Sequence, residues 1–164
     1  MAIVLRDATE ADVPLIYDFI HELATYEKLA HAHVGTHEDL RDTLFRHKYA
    51  HVVLASVDGA DVGFALFFFN YSAFLSKRGL YLEDLYVRPS VRGQGVGTTL
   101  MKHLAALALA KGCRHMNWTA IDWNTPAINF YVGKTVGATL MNEWKLFQLQ
   151  DDSLTRFAAT TTTE

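Results

Sequence analysis

Residues 80–110 read LYLEDLYVRPSVRGQGVGTTLMKHLAALALA, and this stretch decides the fold. Leu80, Leu82, Leu85 and Val87, with Tyr81 and Tyr86 among them, form a short β-prone apolar run that fits one buried strand. Pro89 stops that strand, because proline cannot donate to a sheet ladder. Arg92-Gly93-Gln94-Gly95-Val96-Gly97 follows directly. Leu100, Leu104, Leu107 and Ala108 then recur at helical spacing, with Thr98, Thr99 and Lys102 near the helix start.

Strand, glycine-rich turn and helix in this order suit a phosphate ligand. Glycines let the main chain take positive φ and let a ligand approach it closely. The first turn of the helix offers unpaired N–H groups at the positive end of its dipole. Arg92 adds a fixed charge beside them. A dinucleotide fingerprint would need a third glycine where Thr98 stands, and no Lys-Ser/Thr pair follows the glycines as a P-loop requires.

Outward from this stretch, residues 2–6 read as a first strand. Thr9-Glu10-Ala11-Asp12 resembles a capping box, and Leu15, Ile16, Phe19, Ile20, Leu23 and Ala24 mark the apolar face of a helix running to about Tyr26. Residues 26–51 are polar and carry His31, His33, His37, His47 and His51. Their spacing is irregular and no cysteine accompanies them, so they read as solvated histidines and no metal is expected. Thr36 is expected to cap a second helix over 37–47, with Leu40, Leu44 and Phe45 inward. Residues 50–57 and 62–70 read as strands joined by the hairpin turn Asp58-Gly59, the second buried on both faces. Residues 71–79 read as a loop carrying Tyr71 and Phe74. Lys111-Gly112 ends the long helix. Residues 115–121 read as a strand and Pro126 as the first turn of a helix. Gly137 closes that region, 144–149 reads as a last strand, and a helical turn is expected over 154–159. The whole predicts an α/β mixed sheet with helices on both faces, in a single domain over 1–159 followed by a frayed tail over 160–164.

Composition narrows the function classes. A chain of 164 residues with half its residues hydrophobic is one globular domain with room for a core. A formal net charge of −3 leaves no electrostatic footprint for nucleic acid. The N-terminus lacks the apolar core of a signal peptide, and no apolar run reaches membrane-spanning length. Cys113, the single cysteine, excludes an internal disulfide framework and fits a reducing compartment, so a cytoplasmic protein is expected. It follows Gly112 with no evident base, and reads as structural rather than as an acyl-carrying nucleophile.

Arg92, Gly95 and Gly97, preceded by Val87-Arg88-Pro89, resemble the acetyl-CoA signature of the GNAT acetyltransferase superfamily. The resemblance covers nearly the whole chain in element order. Within that superfamily it is greatest to the diamine (spermidine/spermine) and thialysine N-acetyltransferases. It rests on Glu22-Leu23-Ala24-Thr25-Tyr26-Glu27, on Tyr81-Leu82-Glu83-Asp84, on the glycine turn, and on Trp123-Asn124-Thr125-Pro126-Ala127-Ile128-Asn129-Phe130-Tyr131.

The resemblance implies a GNAT-type sheet whose central strands splay apart around the acyl group. It implies acetyl-CoA as co-substrate, held by main-chain groups of Leu85 and Val87 beside Tyr86, by Arg92, Gly93, Gln94, Gly95, Val96, Gly97 and Thr98 at the pyrophosphate, and by Asn124 and Tyr131 near the thiol. It also implies Glu83 as the base, directly or through water, Tyr131 as the acid for the departing thiolate, and the Leu85 N–H as a donor to the thioester carbonyl. Glu27, Glu83, Asp84 and Glu143 would bind the amine, and a homodimer would form through the C-terminal strand with Trp144, Leu146 and Phe147. Gly137 lies six residues after Tyr131, which implies a longer or irregular helix end. Ser72 and Phe74 stand where polyamine acetyltransferases tend to place an acidic residue and a tryptophan, which points to a short amine. The expected activity is direct acetyl transfer to the primary amine of a diamine, polyamine or lysine/ornithine-like amino acid. Protein N-acetylation is the alternative, against which Tyr71 and Phe74 suggest a closed, small site; a non-catalytic acyl-CoA-binding module is another.

Overall fold

The computed structural model describes residues 2–160. Five strands form one sheet in the order β1-β2-β3-β4-β5: β1 (Ile3–Asp7), β2 (His51–Val57), β3 (Ala60–Ser72), β4 (Lys77–Val87) and β5 (Met116–Asn117). Neighbours run antiparallel except β4 and β5, which are parallel. This is the mixed sheet that the alternation of strands and helices predicts.

Helices cover both faces, as expected. On one face α1 (Val13–Tyr26) and α2 (His37–Leu40) pack Ile16, Phe19 and Leu44 against Leu54, Phe64, Leu66 and Tyr86; α2 continues as a wider turn over Arg41–Arg46. On the other face α3 (Val96–Ala110) packs Leu100, Met101 and Leu104 against Val53, Ala65, Phe67, Leu80 and Leu82. Each apolar side chain so buried contributes roughly 1.5–3 kcal/mol. The caps read from sequence are present. The Asp12 carboxylate accepts from the Thr9 N–H at 2.7 Å, and Thr36 Oγ1 accepts from the Asp39 N–H at 3.2 Å.

Two features of β4 shape the cavity. Leu82 pairs with Phe67 and Asp84 with Leu66, so Glu83 is the extra residue of a β-bulge. The ladder with β5 ends just before it, at Tyr81↔Asn117. From Leu82 onward the two chains separate, giving the splay expected of the central strands. Arg88, at the end of β4, donates to the Glu22 carboxylate at 2.8 Å and to the Asp61 carbonyl at 3.2 Å, and lies over the Phe19 ring. This lock fixes the C-terminal end of α1 beside the splay.

Three expectations are corrected. The strand over 115–121 is only Met116–Asn117, because the bulged β4 turns away and leaves the rest without a partner. The last strand over 144–149 does not form; β5 is too short to offer a ladder, and the segment runs exposed to α5 (Asp151–Ala159). The loop over 71–79 shrinks to the turn 73–76, because β3 and β4 pair as far as Ser72↔Lys77. That leaves Phe74 94 % exposed at a hairpin tip. Of the expected tail, residues 161–164 lie outside the described residues.

Candidate active site

The splay opens a cavity of about 510 Å³, a size that suits a small-molecule site. One wall is Leu82–Val87 of β4. The glycine turn with the first residues of α3 forms one end. Opposite stand Trp118, Thr119 and Ala120 beyond β5, with Asn124 and Pro126 at the start of α4 (Thr125–Val132) and Phe130 and Tyr131 in its last turn. The end of α1 closes the third side with Leu23, Tyr26 and Glu27.

The glycine end is built from backbone. Gly93 and Gly95 sit at φ 75° and 88°, where a side chain would be strained, and an added Cβ would meet open space at both. Gly95 caps α3, whose first intrahelical bond runs from the Thr99 N–H to the Gly95 carbonyl at 2.9 Å. The N–H groups of Val96, Gly97 and Thr98 precede that bond and remain available to an anion. On β4, the Arg88 N–H donates to the Val62 carbonyl at 2.9 Å. Antiparallel alternation then turns the main-chain polar groups of Leu85 and Val87 the other way, into the splay. The Val87 carbonyl accepts there from Arg92 Nε at 2.8 Å. These residues fit the pyrophosphate and amide-bearing arm of a coenzyme A thioester. Gln94 is the exception, because its side chain turns back to the Ser90 carbonyl at 3.4 Å and does not line the cavity.

The opposite end is acidic. Glu27, Glu83 and Asp84 all line the cavity. Asp84 shares the α1 face of the sheet with Leu66 and Tyr86, half-buried, whereas Glu83 on the bulge is exposed. Burial first, then the negative charges of Glu83 and Glu27, push Asp84 up to about 7. Burial also raises Glu27. Tyr131 is pushed up to about 12 by burial and by the charge of Glu27, so its phenol holds its proton at neutral pH. Trp118 packs on Tyr131 with ring centroids 5.2 Å apart.

Asn124 is buried and is placed by its role as the cap of α4, where its Oδ1 accepts from the Ala127 N–H at 3.4 Å. It accepts again from the Tyr26 hydroxyl at 3.3 Å. Sequence reasoning assigned Tyr26 no role, yet it bridges the two walls: its ring also lies under the Arg92 guanidinium, 4.7 Å away. The one hint was its place beside Glu27 at the end of α1. Two expectations fail here. Glu143 lies exposed on the C-terminal segment and does not line the cavity. Tyr71 and Phe74 do not line it either, since the hairpin tip stands beyond the sheet, and so they do not close the site. After Tyr131 the helix ends early at Val132, and Gly137 follows in a turn at φ 71°. Cys113 is buried in the core. Among the described residues no three His, Cys, Asp or Glu side chains gather to hold a metal, and no helix is long and apolar enough to cross a membrane.

Comparison with known proteins agrees with this geometry. Residues 16–138 match the acetyltransferase (GNAT) family. A thialysine N-epsilon-acetyltransferase of Sus scrofa is 35 % identical, over 96 % of this chain and 98 % of its own length. An L-ornithine N5-acetyltransferase of Arabidopsis thaliana is 32 % identical, over 92 % and 85 %. An integron cassette protein from the mobile metagenome of V. cholerae superposes with a TM-score of 0.79 at 29 % identity, over 98 % and 99 %.

Proposed function

Because this chain belongs to the GNAT acetyltransferase family and is an acyltransferase, we propose that it acetylates the primary amine of a small substrate carrying two positive centres, a thialysine- or ornithine-like amino acid or a short diamine. One observation carries this reading. Three carboxylates meet at one end of the cavity, and the charges acting on Asp84 there are all negative. A substrate with ammonium groups supplies the missing cations. The named activities of the thialysine and ornithine acetyltransferase relatives, aligned over most of their lengths, support the same class.

Acetyl-CoA is the proposed acyl donor and supplies an activated thioester. The glycine turn and the α3 N–H groups would hold its pyrophosphate, with Arg92 as the cation beside them, and Leu85 and Val87 would bind its amide arm. The Leu85 N–H is suited to polarise the thioester carbonyl. Tyr131 keeps its proton until the thiolate leaves and then donates it. Glu27, Glu83 and Asp84 orient the amine, whose attack needs it neutral; a lysine-like amine is neutral in only about one molecule in a few thousand at pH 7.

The test is thiol release from acetyl-CoA with thialysine, ornithine, lysine, putrescine, spermidine and a lysine-containing peptide. Turnover is expected on a short dicationic amine. Faster turnover on the peptide, or acetyl-CoA binding with no turnover on any amine, overturns the reading.

A homodimer is proposed as the working state. The unpaired far edge of β5 supports it, as do Trp144 and Phe147, which are 66 % and 89 % exposed on the segment leading to α5. Light scattering should give twice the mass of one chain, and a monomer at micromolar concentration would rule it out.

A further inference from the structure

We infer that His21 and His33 form a two-histidine site for a late first-row divalent cation, the class of Zn²⁺, Ni²⁺ and Cu²⁺, which joins α1 to the segment after it. The inference is independent of the acetyl-transfer reading, and its test needs no turnover.

The spacing of the histidines hides the pair. His31, His33, His37, His47 and His51 lie between residues 26 and 51, but the partner of His33 comes earlier, on α1. Tyr17 and His21 are four residues apart on that helix and so share one face. After α1 the chain turns through Lys28, at φ 62°, and through Ala30–Ala32. This brings His33 back onto the face, where its ring packs on Tyr17 with centroids 4.6 Å apart.

Burial shows which side chain the turn delivers. Every residue of 28–36 is exposed except His33, which is half-buried. Its neighbour Val34 is 83 % exposed. Hydrophobic burial alone would turn the valine in. The chain instead turns a histidine in and sets it against a second histidine.

The contact suits a shared ion better than a hydrogen bond. His33 Nδ1 lies 3.4 Å from His21 Nδ1. The ring centroids are 5.6 Å apart, so the two nitrogens lie between the rings and face one another. Hydrogen bonds from N–H groups are shorter, near about 2.9–3.0 Å. Two imidazole nitrogens, each about 2.0–2.1 Å from one tetrahedral ion, stand about 3.3–3.4 Å apart. With both ring protons on Nε2, both Nδ1 lone pairs enter the gap, and a cation there removes their repulsion.

The donor set selects the metal. Imidazole suits zinc, nickel and copper, whereas magnesium and calcium take oxygen ligands. Among the described residues no third His, Cys, Asp or Glu joins the pair, so water completes the shell. His33 also borders an open hollow lined by Tyr17, Thr36, His37 and Glu38, through which a hydrated ion reaches it. Tyr17, packed on His33 and edge-on to His37 at 4.5 Å, holds the His33 ring in place. A bound ion clips 28–36 to α1, directly after Glu27, which lines the cavity.

The test is calorimetric titration of chelator-stripped protein with Zn²⁺, and separately with Mg²⁺. Wild type should bind one Zn²⁺ per chain and no Mg²⁺. His21→Ala and His33→Ala should each weaken Zn²⁺ binding by at least about tenfold. His31→Ala, in the same segment but exposed, should leave it unchanged. His47 offers the rival pair, with its Nε2 3.4 Å from Asp42 Oδ2. Binding lost in His47→Ala and kept in His21→Ala and His33→Ala overturns the inference. So does a wild type that binds no Zn²⁺, or binds it only at weak sites indifferent to both residues. Histidine ring NMR gives a readout on the unaltered chain. Substoichiometric Zn²⁺ should move the His21 and His33 resonances first, and earlier movement at any other histidine refutes the site. Zn²⁺ should also raise the Tm of wild type and not that of His33→Ala. A chain that acetylates no amine leaves all of these outcomes standing.

Discussion

The two ends of the cavity are built by different means. The glycine end is made of backbone: Gly93 and Gly95 at positive φ, the first N–H groups of α3, and main-chain groups of β4 turned into the splay. The acidic end is made of side chains brought from two places, Glu27 from the end of α1 and Glu83 with Asp84 from a bulge in β4. On the proposed reading, backbone groups would recognise what every acyl-CoA shares, the pyrophosphate and the amide arm, and side chains what differs between acceptors. Donor and acceptor recognition would then sit on separate structural foundations, so substitutions at one end should leave the other unchanged.

Tyr131 stands where the two ends meet, and Tyr131→Phe should have the largest effect on turnover. It removes the proton held by a phenol pushed up to about 12. A fall in kcat of about 10²–10³-fold is expected in steady-state thiol release, with little change in either KM. A variant within twofold of wild type would mean that the thiolate leaves without this acid.

Arg92→Ala and Glu27→Gln separate the ends. Arg92→Ala should weaken acetyl-CoA binding about 10–100-fold by calorimetry, as expected for loss of a charged hydrogen-bond donor, and leave the amine KM within twofold. Glu27→Gln should raise the amine KM about tenfold and leave acetyl-CoA affinity unchanged. If each variant moves both constants, the two ends are one coupled site. Tyr26→Phe comes next in size, because Tyr26 touches both Arg92 and Asn124. Loss of a neutral hydrogen bond of about 0.5–1.5 kcal/mol should weaken acetyl-CoA binding about two- to tenfold.

What the sequence reveals divides along the same line. The glycine end is legible because strand, Pro89, Arg92, the glycines and the helix lie within one short stretch, and their local conformations are set by local chemistry. Asn124 is legible in the same way, as the residue before Thr125-Pro126 at a helix start. The acidic end depends on where α1 finishes in space, and on a bulge. That bulge does leave a trace: the apolar positions run Leu80, Leu82, then Leu85, Val87, and the skipped beat is where the period of two breaks. Residues 115–121 and 144–149 have the composition of strands, but strands need partners, and the short pairing of β5 limits the first to Met116–Asn117 and leaves the second unpaired in the single chain. Glu143 was placed by the family resemblance alone, and it stands on an exposed segment outside any element.

The smallest expected effect concerns stability. The carboxyl of Asp84 is raised from an ordinary 3.8 to about 7, so the folded chain binds this proton more tightly than the unfolded chain. Below pH 3.8 both states hold it and no difference arises. Between 3.8 and about 7 the unfolded state gives it up first, so this group's contribution to stability falls as pH rises; above 7 the full cost of a buried carboxylate beside two others is present. Asp84→Asn should therefore raise Tm by a few degrees at pH 8, since one kcal/mol moves Tm by about 2–4 °C in a chain of this size, and by nothing at pH 4. A dicationic amine should close the gap at pH 8 by stabilising wild type alone, because it supplies the cations that the acidic end lacks. No corresponding pH-dependent gain is expected from Arg92→Ala, whose guanidinium is exposed and already hydrogen-bonded to Val87. An equal gain at both pH values would mean that Asp84 costs the fold through packing and not through its charge.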